Sequence, residues 1–167
     1  MLEQIMGLPT HVLLVHAAVV LVPLLAAGAA VYAVLPRLRP RLRWVVLVLA
    51  VVAPLAALFT KLSGDAFFAA LQNLDRLPKP LPTVQQHQQY GSITAWVTGG
   101  LAVVTLLMIY VTERPPSWMS SSPSARRGIT LLFTVLVLGL AAVSAVYIFL
   151  TGDSGARMNW EDILKTS

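Results

Sequence analysis

The chain has no cysteine and few charged residues. Its 167 residues include no Cys, and Asp, Glu, Lys and Arg together make up 11% of them, against about 25% in soluble proteins. Without Cys, disulfides, thiolate metal sites, iron–sulfur clusters and cysteine nucleophiles are excluded. Gly-x-Ser-x-Gly and His-Glu-x-x-His segments, which mark two common hydrolase classes, are also absent. The sequence therefore predicts that the protein is not an enzyme, and we name no catalytic residue.

Apolar sequence is present in excess. Apolar residues make up 57% of the chain and the mean hydropathy is +0.76. They gather in four stretches, at about 12–35, 44–62, 90–112 and 128–150. A helix needs about 20 predominantly apolar residues to cross a bilayer. The sequence therefore predicts an all-α polytopic membrane protein, a bundle of four transmembrane helices forming a single domain.

The segments outside the spans carry weaker patterns. Residues at about 65–77 place apolar side chains in a helical stripe, which predicts a short helix lying in the outer interface. Thr83 and Gln86 resemble a capping box that opens the third helix, with His87 about one turn into it. Residues 151–167 are expected to form a short outer tail.

Basic residues mark one end of the spans. The connections 36–43 and 113–127 hold seven of the twelve Lys and Arg residues. Connections rich in Lys and Arg face the cytoplasm, so these two are expected to be cytoplasmic and both termini outside. The sequence pI near 10.1 then reflects topology, and no nucleic-acid partner is expected. The segment before the first span holds Glu3 and no basic residue, and that span exceeds the about 7–15 apolar residues of a signal peptide, so we expect it to be retained.

Polar residues from all four helices gather at the opposite, outer end. Because the Arg-rich end has no comparable cluster, we expect a ligand or proton site at the outer ends. Its candidates are His11, His16, Lys61, Ser63, Asp65, His87, Asp153 and Arg157. We also expect ion pairs across this outer mouth, between Lys61 and Asp65 and between Arg157 and Asp153.

The histidines leave several roles open. His16 is the most deeply placed ionisable residue, and such residues usually face the interior of a bundle, with structural, proton-handling and ligating roles all available. His11 lies five positions before it, about 140° away around a helix, so the two are not expected to bind one ion from the same face. Two imidazoles on facing helices can hold haem. No cofactor is predicted in the leading interpretation, and the alternative is haem b or an unidentified metal held by His16 with His11 or His87.

Two triplets at the outer ends suggest an internal repeat. Ser63-Gly64-Asp65 and Thr151-Gly152-Asp153 each follow a helix that runs outward. They favour two parallel helix-hairpin repeats, with His87 standing where His11 stands in the first copy. Plain capping is the other interpretation, because Gly and Asp commonly follow helix ends.

The opening of the chain resembles a known family. Residues 7–23, with His11 and His16, resemble the first helix of the bacterial four-helix membrane family called domain of unknown function 2231, where the pattern is His-Pro-x-x-Val-His-x-Pro. In that family a Ser/Thr-Gly-rich turn with an acidic residue ends the second helix and a His opens the third, and Ser63-Gly64-Asp65 and His87 look like these features. This chain departs in having Thr10-His11-Val12 in place of His-Pro. The resemblance covers nearly the whole chain and implies a multi-pass protein of the bacterial plasma (inner) membrane; relatives joined to redox modules imply a link to electron transfer.

Three functions remain open at this stage. The leading interpretation is a non-enzymatic membrane protein that binds a small ligand, an ion or a partner through the outer cluster. The alternative is a small redox membrane protein that uses the histidines to hold haem b or a metal, and a further alternative is a subunit of a proton-coupled transporter. Besides the lipid bilayer, the expected partner is a second copy of the chain or another membrane subunit.

Overall fold

The computed structural model describes residues 4–5, 8–73, 81–117 and 122–165. Two short strands, β1 (Gln4–Ile5) and β2 (Leu8–Pro9), pair antiparallel ahead of the first helix. The long helices are α1 (Thr10–Val34), α2 (Arg39–Asn73), α3 (Leu81–Glu113) and α4 (Pro123–Lys165). A 3-10 turn, Pro36–Leu38, joins α1 to α2. The expected all-α bundle of four long helices is confirmed.

Each long helix contains a segment that is long and apolar enough to cross a membrane. The segments are Leu13–Val34, Pro36–Gln72, Pro82–Glu113 and Pro123–Met158. Large apolar side chains on them point outward, among them Trp96, 77% exposed, and Phe149, 72% exposed. An apolar outer surface of this kind suits lipid, in which a helix satisfies its own backbone hydrogen bonds.

The helices continue past the outer ends expected from the sequence. Because α2 runs to Asn73 and α4 to Lys165, the triplets beginning at Ser63 and Thr151 lie inside helices and do not end them. The separate interfacial helix expected at 65–77 is wrong for residues 65–73, which continue α2, and residues 74–77 lie outside the described residues. A glycine costs a helix interior only about 1 kcal/mol, so packing against neighbouring helices readily overrides this stop signal.

The helices occupy the corners of a square. Both α1 and α3 pack along α2 and α4, while α1 and α3 lie diagonally and touch little. The core between them holds fully buried side chains such as Leu25, Tyr32 and Leu101. The Tyr32 hydroxyl lies 3.0 Å from Thr112 Oγ1, which satisfies a polar group that burial would otherwise penalise.

The burial pattern of the first hairpin recurs in the second. Among side chains that the structure describes, each buried residue of α1 has a buried counterpart 76 positions later in α3. His11 and His87 are separated by the same 76 positions. The pairs are Ala18/Thr94, Val22/Thr98, Leu25/Leu101, Ala26/Ala102, Ala29/Thr105, Tyr32/Met108 and Ala33/Ile109. Four buried residues of α2 likewise have a buried counterpart 91 positions later in α4, the separation between Thr60 and Thr151. These equivalent pairs are Val46/Val137, Ala50/Ala141, Ala53/Ser144 and Ala57/Ile148. The two hairpins therefore pack as parallel repeats.

The second hairpin carries more hydroxyl groups in its core. Thr98 Oγ1 and Ser144 Oγ lie 3.1 Å apart and are fully buried, where the first hairpin places Val22 and Ala53. Thr105 Oγ1 is buried without a hydrogen-bond partner among the described residues, at a position where α1 has alanine. A side-chain hydrogen bond therefore supplements packing between α3 and α4.

Candidate functional site

The His11 ring is anchored to α2. Its Nδ1 lies 3.0 Å from the Thr60 carbonyl oxygen and 3.2 Å from Ser63 Oγ. The Ser63 hydroxyl donates to the same carbonyl at 2.9 Å. Because a carbonyl only accepts, this network assigns the proton of the neutral ring to Nδ1 and leaves the lone pair on Nε2.

The His87 ring is anchored to α4 in the same way. Its Nδ1 lies 3.0 Å from Ser154 Oγ, and the Ser154 hydroxyl donates to the Thr151 carbonyl at 3.0 Å. Because the Ser154 hydroxyl gives its own proton to that carbonyl, its oxygen accepts the proton of the neutral ring from Nδ1. The second hairpin therefore repeats the first, and Nε2 of His87 also carries the lone pair.

A Thr-x-x-Ser-Gly segment makes each anchor. It spans residues 60–64 in α2 and 151–155 in α4, so the repeat register is three residues away from the one expected from the two triplets. The glycine makes room for the ring, because a Cβ on Gly64 would lie 2.9 Å from His11 Cε1 and one on Gly155 would lie 3.2 Å from His87 Cε1. A search for segments sharing Ser-Gly three residues after a threonine would have found this pairing.

Four charged residues flank the two anchors. Lys61 pairs with Asp65 on α2, and Arg157 Nε lies 2.8 Å from Asp153 Oδ2 on α4. Both expected ion pairs are present, but each joins residues four apart on one helix and does not bridge the mouth between helices. Partly exposed pairs of this kind contribute about 0–1 kcal/mol to stability, so their effect on the site is mainly electrostatic.

His16 does not lie between the helices as the two anchored rings do. Its side chain lies on an exposed face of α1, whereas His11 and His87 are half-buried. The five-residue separation from His11 explains the difference, since it rotates His16 about 140° around the helix. The structure thus holds two of the three histidines in matching positions at one end of the bundle, each against the helix beside it.

The surroundings of His11 favour its neutral form. His11 lies just before the first membrane-crossing segment. Burial lowers the pKa of its imidazole below the ordinary value of 6.5, and this effect outweighs the Thr60 carbonyl and the Asp65 carboxylate, which raise it. A neutral ring with Nδ1–H donated to a carbonyl offers its Nε2 lone pair to a ligand.

Two such lone pairs define what the site can do. An imidazole in this tautomer can bind a metal, accept a proton or accept a hydrogen bond. Among the described residues no three His, Asp or Glu side chains come together as metal ligands. The arrangement therefore suits a ligand that needs two nitrogen donors, and it does not provide a closed protein-only metal centre in this part of the chain.

Comparison with known proteins identifies a family. A family model described as "Predicted membrane protein (DUF2231)" matches residues 7–167. No curated protein and no solved structure matches the chain. The family match agrees with the four apolar helices and supports a membrane location.

The Gly64→Ala substitution tests the close approach at the first anchor. The added Cβ forces the His11 ring to move, so we expect loss of the Nδ1 hydrogen bond, worth about 1 kcal/mol, to cancel the gain of about 1 kcal/mol from replacing a helical glycine. Nitrogen NMR of His11 should show a changed tautomer or environment, and detergent-unfolding measurements should show little net change in stability.

Gly139→Ala is the matched control. Gly139 is inside a helix, as Gly64 is, but it belongs to α4, and nothing lies within 4 Å of a Cβ built on it. Here we expect the helix gain of up to about 1 kcal/mol without any change at His11. Equal stabilisation of both variants, with His11 signals unaltered in each, would contradict the contact.

The stability of the folded protein should depend on pH through His11. Since its pKa is lower in the folded than in the unfolded state, the unfolded state binds more protons below about pH 6.5. Stability is then full above pH 6.5 and falls as the pH is lowered through it. Unfolding at several pH values should show a shallower fall for His11→Asn, which keeps an N–H for the Thr60 carbonyl but does not titrate. Parallel curves for the two proteins would rule out this contribution.

Proposed function

We propose that this chain, which belongs to the DUF2231 family of predicted membrane proteins, is a non-enzymatic membrane protein that binds a small ligand or ion through His11 and His87. The observation that carries the proposal is the duplicated anchor: in each hairpin, Nδ1 is committed to the neighbouring helix. Nε2 of each ring is the donor atom that remains for a ligand.

Comparison of the two hairpins supports a role beyond packing. At the anchors the histidine, threonine, serine and glycine are identical in both copies. Of the eleven buried core pairs only four are identical, namely Leu25/Leu101, Ala26/Ala102, Val46/Val137 and Ala50/Ala141. Core positions tolerate replacement by residues of similar volume, so packing alone does not account for two unchanged anchors.

The flanking charges narrow the class of ligand. Each of the pairs Lys61 with Asp65 and Asp153 with Arg157 is neutral as a unit. The ligand is therefore selected less by net charge than by its ability to accept two nitrogen lone pairs. A Lewis-acidic metal centre or a group with two hydrogen-bond donors has this property.

The redox alternative is a second candidate, with a changed pair of ligands. Metal-bound imidazoles almost always donate their other N–H to a neighbouring acceptor, often a carbonyl or carboxylate; here Nδ1 of His11 donates to the Thr60 carbonyl, and Nδ1 of His87 donates to the Ser154 hydroxyl. The exposed position of His16 removes the basis for pairing it with either of them inside the bundle. In this candidate His11 and His87 are the residues that would hold a haem through Nε2, and a bound haem would supply one-electron chemistry at this end of the bundle.

Histidine substitutions test both candidates. The full chain is purified in mild detergent and titrated with Co²⁺ and, separately, with haem b, using absorption spectra as the readout. We expect His11→Asn and His87→Asn each to weaken binding of the accepted probe by at least about tenfold, since removing even a supporting partner of a ligand costs about 10–100-fold.

His16→Asn provides the control, because it removes an imidazole on an exposed face of α1. It should bind the probe as the unchanged protein does. A Soret band lost in the His11 and His87 variants would favour the redox candidate. Failure to bind either probe, or equal loss in all three variants, would overturn binding through this pair.

We also infer the orientation of the bundle. Residues 36–43, 113–117 and 122–127 lie at the end of the bundle opposite the two anchors, and they hold seven of the twelve basic residues. By the preference of such connections for the cytoplasm, the anchors face away from the cytoplasm of a bacterial plasma membrane. A ligand from outside the cell then reaches them without crossing the bilayer.

Single cysteines test this orientation, since the chain contains none. Ala156→Cys lies near the anchors and Ser117→Cys at the Arg-rich end, and both positions are exposed. A membrane-impermeant maleimide added to intact cells should label Ala156→Cys and should label Ser117→Cys only after lysis. The opposite pattern would invert the assignment of faces.

A further inference from the structure

A groove of about 440 Å³ lies between α2 and α3 at the Arg-rich end, opposite to the histidines. Its rim carries Arg43, Glu113 and Arg114, and its floor is apolar, with Leu47 and Leu106. The groove opens sideways, on the lipid-facing surface of the bundle, because the aromatic residues beside it are largely exposed. It is therefore accessible to the surrounding lipid and not to a ligand of the outer site.

Arg43 has hydrogen-bonding capacity to spare. Its Nη1 lies 2.9 Å from Glu113 Oε2 and its guanidinium is 5.0 Å from the centroid of the Trp44 ring. Its Nε is buried and has no acceptor among the described residues. With Arg114 added, the rim holds two cations and one anion, so it has a net positive charge. The guanidinium has five N–H donors, Glu113 accepts at Nη1, and the side chain is partly exposed, so an oxygen-rich anion placed on this rim would accept from the accessible part of the Arg43 fork.

The walls of the groove suit the boundary between headgroups and hydrocarbon. Trp44 is 66% exposed and Tyr110 is 59% exposed, and amphipathic rings of this kind are enriched at membrane–water interfaces. Leu47 lies one helical turn beyond Arg43, about 6 Å deeper in the bundle. Along the groove the charged residues therefore come first and the apolar residues lie deeper. A phospholipid has its headgroup and its acyl chains in the same order.

Comparison of the two repeats shows that helix packing alone does not require the charged and aromatic residues of this groove. In the equivalent seam, between α1 and α4, the counterparts of Arg43 and Trp44 are Thr134 and Val135. The counterparts of Tyr110, Glu113 and Arg114 are Val34, Arg37 and Leu38. The two seams share buried positions, but the α1–α4 seam has a single charged counterpart, Arg37, and no aromatic one, so only the α2–α3 seam combines paired charges with exposed aromatic rings.

We propose that this groove binds one anionic phospholipid from the leaflet at the Arg-rich end. The phosphate accepts hydrogen bonds from Arg43 and is attracted by Arg114, while an acyl chain lies over Leu47 and Leu106 between the two aromatic rings. Basic pockets between transmembrane helices are established as sites for anionic headgroups. The site lies at the far end of the bundle and does not depend on the histidine pair.

Native mass spectrometry of the full chain in detergent tests the proposal. With added phosphatidylglycerol we expect one retained lipid per chain, and markedly less retention of phosphatidylcholine. Arg43→Gln should weaken phosphatidylglycerol retention about fivefold or more. Arg127→Gln is the matched control, since it removes the same charge from an exposed position on α4, outside the groove. It should behave as the unchanged protein.

A second variant and a headgroup analogue complete the test. Trp44→Val installs the residue of the equivalent seam at a lipid-facing position and should also reduce retention without unfolding the protein. Glycerol phosphate, which lacks acyl chains, should not displace the lipid at comparable concentration. Equal retention of both lipids, equal loss in the Arg127→Gln control, or displacement by glycerol phosphate would each overturn the site as proposed.

Discussion

A bilayer interior supplies no hydrogen-bond partner, so a polar group that this chain places there is stabilised only by a partner within the protein. The backbone meets this condition by forming four uninterrupted helices. Threonine hydroxyls meet it by donating to the carbonyl four residues earlier, as Thr60 does to Ala56 at 2.7 Å and Thr151 to Tyr147 at 2.7 Å. The anchored imidazoles follow the same rule: His11 donates Nδ1–H to the second lone pair of a helix carbonyl, and His87 donates it to the Ser154 hydroxyl.

This constraint explains which parts of the fold could be predicted from the sequence. The apolar stretches and the basic connections were sufficient for four helices, because the length of an apolar run and the cost of burying charge leave little choice in a membrane. Helix ends were not predictable in this way. Gly64 and Asp65 read as a stop signal by local preference, but in the bundle Gly64 lies inside α2, where it makes room for the His11 ring.

The candidate site was predictable in composition but not in geometry. The position of His11 and His87 at one end of the bundle followed from the places of the polar residues in the sequence. The exposed position of His16 did not, because α1 is apolar on nearly every face and its sequence therefore does not show which face turns inward. The repeat register was three residues out for a related reason: the triplets were matched by glycine and aspartate, whereas the contacts that recur are those of the serine and glycine with each ring.

The direction of the repeat determines what two copies can build together. Inverted repeats would place their equivalent residues in opposite leaflets, whereas parallel repeats place them at one depth. Since α1 and α3 share their buried positions turn for turn, helix register brings His11 and His87 to the same end without help from a ligand. At the other end the copies have diverged, and Arg43, Trp44 and Tyr110 occur in one seam alone. Parallel duplication thus places two matching histidine anchors at one end and leaves the residues at the opposite end free to differ between the copies, as the two proposed sites require.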